Sequence, residues 1–103
     1  KLHHVINIME HNIEETIPLD ELASSVGLSR RQLERLFRLY LGCSPGKYYR
    51  DVRLNKARSL LIQTNKPIIE VAMATGFVSI SHFTQIYRGK FGLTPREARY
   101  SAL

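Results

Sequence analysis

The sequence has little of what stabilises secreted proteins or anchors membrane proteins. Cys43 is the single cysteine, so no disulfide can form within the chain, which fits a reducing compartment. No apolar run approaches the roughly 20 residues that a membrane-spanning helix needs, and no signal-peptide pattern opens the chain. Sustained alternation of apolar and polar residues is also missing, which disfavours strands. We therefore expect a cytoplasmic, all-α domain without a membrane segment.

Motifs for enzymatic or metal chemistry are missing as well. G-x-S-x-G, Walker and H-E-x-x-H patterns do not occur, and no pair of carboxylates is suited to acid–base catalysis. His3, His4 and His11 lie in the first predicted helix without cysteine or acidic partners at metal-ligand spacing. We expect neither an enzyme, nor a metal site, nor a cofactor.

Charge is distributed unevenly along the 103 residues. Residues 1–29 contain five acidic residues and one lysine, whereas residues 30–103 contain fourteen Lys or Arg and four acidic residues. A basic block of this kind suits a polyanion, either nucleic acid or an anionic membrane surface. Because the chain begins at Lys1 rather than Met and enters a helical pattern almost at once, we expect it to be one domain of a longer protein.

One pattern occurs twice. Residues 22–48 read LASSVGLSRRQLERLFRLYLGCSPGKY, and residues 71–96 read VAMATGFVSISHFTQIYRGKFGLTPR. Each copy contains a short helix, a glycine turn, a second helix, another glycine and then Ser-Pro or Thr-Pro. A short helix, a tight glycine turn and a longer helix are typical of the helix-turn-helix motif. The chain therefore carries two helices that could each enter a DNA major groove.

Glycines, prolines and capping residues predict about seven helices. The predicted ranges are about 2–12, 19–26, 30–41, 45–63, a short helix between Pro67 and Gly76, about 80–91, and a short final helix from Pro95. Capping boxes are predicted at Ser29-x-x-Gln32 and Thr94-x-x-Glu97. The organisation is thus one domain over 1–103, with helix-turn-helix one at about 19–42 and helix-turn-helix two at about 67–92. A linker helix at about 45–64 joins them and should set their spacing rigidly.

A helical wheel separates an inward and an outward face on the second helix of each copy. In the third helix the predicted inward residues are Leu33, Leu36, Phe37 and Tyr40, and the outward residues are Arg31, Arg35 and Arg38. In the sixth helix the inward residues are Phe83, Ile86 and Tyr87, and the outward residues are Ser81, Gln85 and Arg88. Arginine suits a guanine edge and glutamine suits adenine, so copy one is the stronger predicted reader.

Phosphate contacts are expected at the ends of these helices. Arg38 and Arg88 lie one turn beyond the base-reading positions, and Arg30 joins the capped ends at Ser29 and Ser79. Three cations of the fourth helix either extend this track or are solvated charges: Lys47, Arg50 and Arg53. His82 either touches a base or phosphate or shields the edge of the helix, and the sequence leaves both open.

These residues resemble the C-terminal DNA-binding domain of the AraC/XylS family. The resemblance rests on the pattern A-x-x-x-G-x-S-x-x-x-L-x-R-x-F followed by G-x-S-P, and on I-x-E-V-A-x-x-x-G-F-x-x-x-S-H-F later in the chain. It covers about residues 5–100. The phrases GFVSISHF and RRQLERLF are most similar to the GlxA-like branch, in which such a domain follows an N-terminal domain with a class I amidotransferase-like fold.

The resemblance implies the output domain of a transcription regulator, often an activator. The family's base-contacting positions fall on Arg31, Glu34 and Arg35 in copy one, and on Ser81, His82, Thr84 and Gln85 in copy two. Family members often carry arginine where this chain has Gln85, which implies a weaker or differently specific second half-site.

The leading hypothesis is sequence-specific binding of double-stranded DNA. The third and sixth helices should then lie about one DNA turn, ~34 Å, apart on the same face of modestly bent DNA. Expected partners are RNA polymerase and a regulatory N-terminal domain that this chain lacks. The competing hypothesis is a protein-interaction module whose basic face docks on an acidic partner such as RNA polymerase. It predicts no duplex binding at physiological salt.

Overall fold

The computed structural model describes residues 1–101, which form seven α-helices and no strand. The helices are α1 Leu2–His11, α2 Leu19–Ser25, α3 Arg30–Leu41, α4 Pro45–Gln63, α5 Ile68–Ala74, α6 Ile80–Phe91 and α7 Pro95–Ser101. The predicted all-α class and the number of helices are confirmed. The bounds differ from prediction mainly at the ends of α1 and α2, each of which stops one residue earlier.

The chain divides into two compact units, each with its own core. Unit one covers Lys1–Val52, and unit two begins at Arg53, so that α4 starts in one unit and ends in the other. The core of unit one consists of Val5, Met9, Leu22, Ala23, Leu33, Phe37 and Tyr49. The core of unit two consists of Leu54, Ala57, Leu61, Val71, Ala72, Phe77, Phe83, Tyr87 and Ala98.

A glycine in the left-handed region makes the turn of each helix-turn-helix. Gly27 has a φ of 72° and Gly76 a φ of 85°, which a residue with a Cβ adopts only at a steric cost. Beyond each glycine the chain folds back on the preceding helix: Leu28 N donates to Ala23 O, and Phe77 N donates to Ala72 O, both at 2.9 Å. Unit two has one residue more in this turn, Val78, which is 97% exposed.

Side-chain caps fix the start of the second helix in both motifs. The predicted capping box of α3 is confirmed: Gln32 N donates to Ser29 Oγ at 3.1 Å, and Ser29 N donates to Gln32 Oε1 at 2.9 Å. In α6, His82 N donates to Ser79 Oγ at 3.2 Å. The box of α7 is confirmed too, through Thr94 N to Glu97 Oε1 and Glu97 N to Thr94 Oγ1. Because these bonds satisfy backbone N–H groups that a helix start leaves open, they define where each helix begins.

One expectation about side-chain direction is wrong, and one of the two alternatives for Arg53 is excluded. Tyr40 was expected to point inward, but it is 68% exposed, because the buried side of α3 ends at Phe37 and the last turn extends past the core. Arg53 is not a solvated charge: its Nε and Nη2 donate to Thr75 O and Gly76 O at 2.9 and 2.7 Å, and its guanidinium lies 4.1 Å from the centre of the Phe77 ring. It therefore caps the C-terminus of α5.

Candidate nucleic-acid interface

The outer face of α3 carries three exposed arginines. Leu33 and Phe37 are completely buried, and this fixes the rotation of the helix about its axis. The opposite side consequently presents Arg31, Arg35 and Arg38 to solvent. The guanidinium group donates in a planar fork that matches both phosphates and guanine edges. The face is thus positioned by packing and chemically suited to DNA.

Two ion pairs of unit one involve the predicted phosphate contacts Arg30 and Lys47. Arg30 Nε lies 3.3 Å from Glu34 Oε1, and Lys47 Nζ lies 2.8 Å from Asp51 Oδ2; each pair spans one helical turn. Exposed pairs of this kind contribute at most about 1 kcal/mol. A phosphate can therefore replace the carboxylate partner at little cost. Glu34, which was predicted to contact a base, forms its ion pair with Arg30 in this structure.

The outer face of α6 is polar but carries less charge. Phe83 and Tyr87 are completely buried, Thr84 is half-buried, and Ser81, His82, Gln85 and Arg88 are exposed. A shallow groove of about 610 Å³ runs along this face. Its lining residues are Ile80, Ser81, Thr84, Gln85, Arg88 and Thr94. The groove brings together three predicted base-contacting residues and one predicted phosphate contact, and it adds Ile80 and Thr94, which the sequence analysis missed.

His82 lies at the edge of this face. Its ring centroid is 6.4 Å from that of Phe77, with the two planes tilted by 60°, so the imidazole partly covers an aromatic ring of the core. This contact supports the shielding role considered for His82. The side chain remains exposed, so the alternative contact with a base or phosphate stays a prediction.

The predicted phosphate contacts are all exposed. Ser29 and Ser79 use their hydroxyl oxygens as acceptors in the helix caps, which leaves each O–H proton free to donate to a phosphate oxygen. Arg38 and Arg88 lie in the last turns of α3 and α6, respectively. Capped helix starts and cations about two and a half turns later form a suitable track for a DNA backbone.

A second cavity of about 330 Å³ lies in unit two, on the buried side of α6. Its lining includes Arg58, Tyr87 and Phe91. Within the described part of the chain, the Tyr87 hydroxyl has no hydrogen-bond partner. Burial raises the pKa of Tyr87 above its ordinary 10.0, and the positive charge of Arg58 opposes this shift. The hydroxyl is therefore neutral and buried, with no acceptor for its proton among residues 1–101.

Residues 1–101 contain neither a candidate metal-binding cluster nor a helix suited to span a membrane. No cluster of three or more His, Cys, Asp or Glu that could hold a metal ion occurs in this range. Nor does any of its helices combine the length and hydropathy needed to cross a membrane.

Comparison with known proteins adds independent information. The family described as "Helix-turn-helix domain" matches residues 22–101. The HTH-type transcriptional regulator GbdR of Pseudomonas aeruginosa (strain UCBPP-PA14) is 57% identical over 99 residues, which are 96% of this chain and 27% of GbdR. The chain thus spans about a quarter of the length of this relative.

Two solved structures share the fold over nearly the whole chain. A transcriptional regulator from Chromobacterium violaceum, described as an AraC-type DNA-binding domain-containing protein, is 51% identical with a TM-score of 0.95, covering 98% of this chain and 90% of that one. The DNA-binding domain of the global transcriptional factor AdpA, solved in complex with a target DNA, is 27% identical with a TM-score of 0.91, covering 97% and 90%.

Proposed function

This chain belongs to the family of AraC-type helix-turn-helix DNA-binding domains, and we propose that it binds a specific double-stranded DNA site through the outer faces of α3 and α6. In this proposal each helix enters a major groove, and the two grooves are adjacent on one side of the DNA. The chain is the output domain of a bacterial transcription regulator.

The observation that carries the proposal is the exposed arginine face of α3. Arg31 and Arg35 lie in the first half of the second helix of a helix-turn-helix, where residues contact base edges. The buried anchors Leu33 and Phe37 hold these arginines away from the core. An arginine that donates to both O6 and N7 of guanine discriminates against other bases by about 1–3 kcal/mol. We assign base contact to Arg31, Glu34 and Arg35 in α3, and to Ser81, His82, Thr84 and Gln85 in α6.

Selection of bound duplexes from a random pool tests the proposal directly. We expect an asymmetric site with two short conserved blocks about one helical turn, ~34 Å, apart. A single conserved block would restrict base reading to unit one and leave α6 as a backbone clamp. Failure to enrich any sequence would contradict the proposal and favour a protein-docking module.

Salt titration separates phosphate contacts from base contacts. Removing a cation that contacts a phosphate lowers the slope of log K against log salt by about one and weakens all sequences alike. We expect this behaviour from Arg38→Ala and from Arg88→Ala. Lys56→Ala is a suitable control, because Lys56 is exposed on the part of α4 that corresponds to α1, outside both motifs. A change in base preference in the Arg38 variant would mean that Arg38 reads bases.

Protein partners complete the proposal. The acidic side chains Glu10, Glu14, Glu15, Asp20 and Glu21 are all exposed in unit one. We assign to this acidic region a contact with RNA polymerase, and to the rest of the full-length protein a regulatory domain in the same cytoplasmic compartment. Reversing the charge of Glu14 and Glu15 should then reduce transcription from a target promoter while DNA affinity stays the same or rises. Equal loss of both would contradict a separate protein contact.

A further inference from the structure

Ile80 is an exposed apolar side chain on a polar face. It occupies the first position of α6 and is 41% exposed. It lines the same groove as Ser81, Thr84 and Gln85. A β-branched side chain in this place gains nothing from water, and it lies in the first turn, from which a helix in the major groove reaches base edges.

The groove side chains form two rows along the helix. Ile80 and Thr84 are four residues apart and stack one turn above the other, and Ser81 and Gln85 form the neighbouring row in the same way. One row is therefore an isoleucine followed by the methyl-bearing Thr84, and the other consists of a hydroxyl and an amide. Ile80 is thus the one apolar side chain among the six residues that line the groove.

The corresponding rows of α3 are filled differently. At an offset of 50 residues, Ile80 and Thr84 correspond to Arg30 and Glu34, which form the 3.3 Å ion pair. Unit one therefore fills this row with charges that neutralise each other, whereas unit two begins it with the apolar Ile80 and continues it with the uncharged Thr84. This difference is consistent with an apolar contact in the second half-site that has no counterpart in the first.

We propose that Ile80 is a specificity-determining residue that contacts the C5 methyl group of a thymine, next to a Gln85 that pairs with adenine. This inference rests on the proposed function and specifies what unit two recognises. The thymine methyl is the apolar group that base edges offer in the major groove, and glutamine is suited to the N6 and N7 atoms of adenine. The two rows together therefore select A·T pairs in the second half-site.

Charge and position favour DNA over other occupants of this groove. From Arg53 onward the chain carries eight Lys or Arg and two Asp or Glu, so unit two as a whole attracts a polyanion. Arg88 lines the same groove one turn beyond Gln85, and can hold a phosphate while Ile80 faces the bases. The apolar contact is thus continuous with the proposed DNA-binding face.

Replacement of thymine by deoxyuracil tests the proposal, because it removes the C5 methyl group and leaves the base-pairing edge intact. The duplex enriched in the selection experiment is remade with deoxyuracil at each thymine of the second half-site in turn. The affinities of the wild-type chain, Ile80→Ala and Ile69→Ala are measured for every duplex. Ile69 is the matched control, because it lies in the same unit and is 44% exposed but does not line the groove.

At one thymine position we expect deoxyuracil to lower the affinity of the wild-type chain for the duplex about four-fold. This is the change expected for losing the burial of one methyl group. Ile69→Ala should show the same loss, whereas Ile80→Ala should bind the thymine and deoxyuracil duplexes equally. An equal loss in wild type and Ile80→Ala would overturn the proposal, as would the absence of any deoxyuracil effect in this half-site. If the wild-type chain bound no duplex specifically, the proposed function itself would fail.

Discussion

Units one and two stabilise the same arrangement of helices with different side chains. In unit one the Tyr49 hydroxyl donates to Asn12 O and accepts from Ile17 N. In unit two Arg99 Nε donates to Leu61 O at 3.0 Å. Arg99 follows Tyr49 by 50 residues, and Leu61 follows Asn12 by 49, so each unit connects the helix after its motif to the end of the helix before it. The geometry is repeated although the residue types are not.

Two measures of charge rank the units in opposite orders. Unit two has the higher net charge, whereas unit one has more arginines on the outer face of the second helix of its motif. Unit one carries seven Lys or Arg and seven Asp or Glu, and is neutral overall. Yet its α3 face presents Arg31, Arg35 and Arg38, where α6 of the strongly basic unit two presents Ser81, Gln85 and Arg88. The position of cations on one helix face, rather than the net charge of a unit, thus underlies the proposed ranking of the two faces.

The largest expected effect distinguishes the stability of the two units. Arg53→Ala removes two hydrogen bonds and a cation–π contact that hold the end of α5. We expect a loss of about 2–4 kcal/mol in the free energy of unfolding. Amide hydrogen exchange should locate the loss in unit two. Arg50→Ala, an exposed arginine of the same helix, should change stability by less than about 0.5 kcal/mol. A loss confined to unit one would contradict this assignment.

The second prediction compares the reading faces. Arg35→Ala should reduce affinity for the selected site by about 2–3 kcal/mol, and Gln85→Ala by about 1 kcal/mol. The reason is that hydrogen bonds from a charged donor are roughly twice as strong as neutral ones. Competition binding against single-base variants of each half-site measures both effects. Equal losses, or a larger loss for Gln85→Ala, would contradict the proposed ranking of the two units.

The third prediction concerns the cores. Phe37 of unit one corresponds to Tyr87 of unit two, whose buried hydroxyl has no hydrogen-bond partner among residues 1–101. Tyr87→Phe should therefore keep the free energy of unfolding or raise it by up to about 1 kcal/mol, because it removes an unsatisfied donor. Urea unfolding of both proteins provides the measurement. A loss of more than about 1 kcal/mol would show that the hydroxyl is hydrogen-bonded, for example to a buried water.

The same variant gives a test in alkali. Since burial raises the pKa of Tyr87, the unfolded chain loses this proton at lower pH than the folded chain. The contribution of Tyr87 to stability is therefore complete below pH 10.0 and declines as pH rises from there through the higher folded pKa. Above pH 10.0, Tyr87→Phe should therefore lose less free energy of unfolding than the wild-type chain. Parallel pH profiles for the two proteins would contradict the raised pKa.

The smallest effect distinguishes the two capping boxes. In the capping box of α3 the backbone N–H of Ser29 donates to the neutral Gln32, and in the capping box of α7 the backbone N–H of Thr94 donates to the ionisable Glu97. Hydrogen bonds that the Glu97 carboxylate accepts from Thr94, first from its backbone N–H and then from its side chain, lower the pKa of Glu97 below 4.5. The contribution of the ionised Glu97 to the stability of the fold is thus present above pH 4.5. It is lost as pH falls through the lowered pKa that Glu97 has in the folded chain. In NMR spectra, the chemical shift of the Thr94 amide should change with pH with a midpoint below 4.5. The Ser29 amide should not show this transition, because its acceptor is Gln32. A midpoint above 4.5 would contradict the lowered pKa.

Local sequence signals predicted most of the fold because they act within one or two helical turns. Gly27 and Gly76 require positive φ, and the capping residues satisfy nearby N–H groups, so the turns and helix starts follow from neighbouring residues. The apolar period of α3 and α6 also placed the predicted contact residues on the outer faces. Its error at Tyr40 arose because a helical wheel gives direction around an axis but not where the core ends.

The sequence by itself determined the repeated motif, the helices and the arginine face, because each depends on residues a few positions apart. Only the tertiary structure decided the roles of Arg53, Tyr49 and Arg99, whose acceptors lie 22 to 38 residues away in the chain. It also decided that Thr94 lies beside Ile80, Ser81, Thr84 and Gln85 in one groove. Contacts between distant segments depend on how helices pack, and no local pattern encodes that packing.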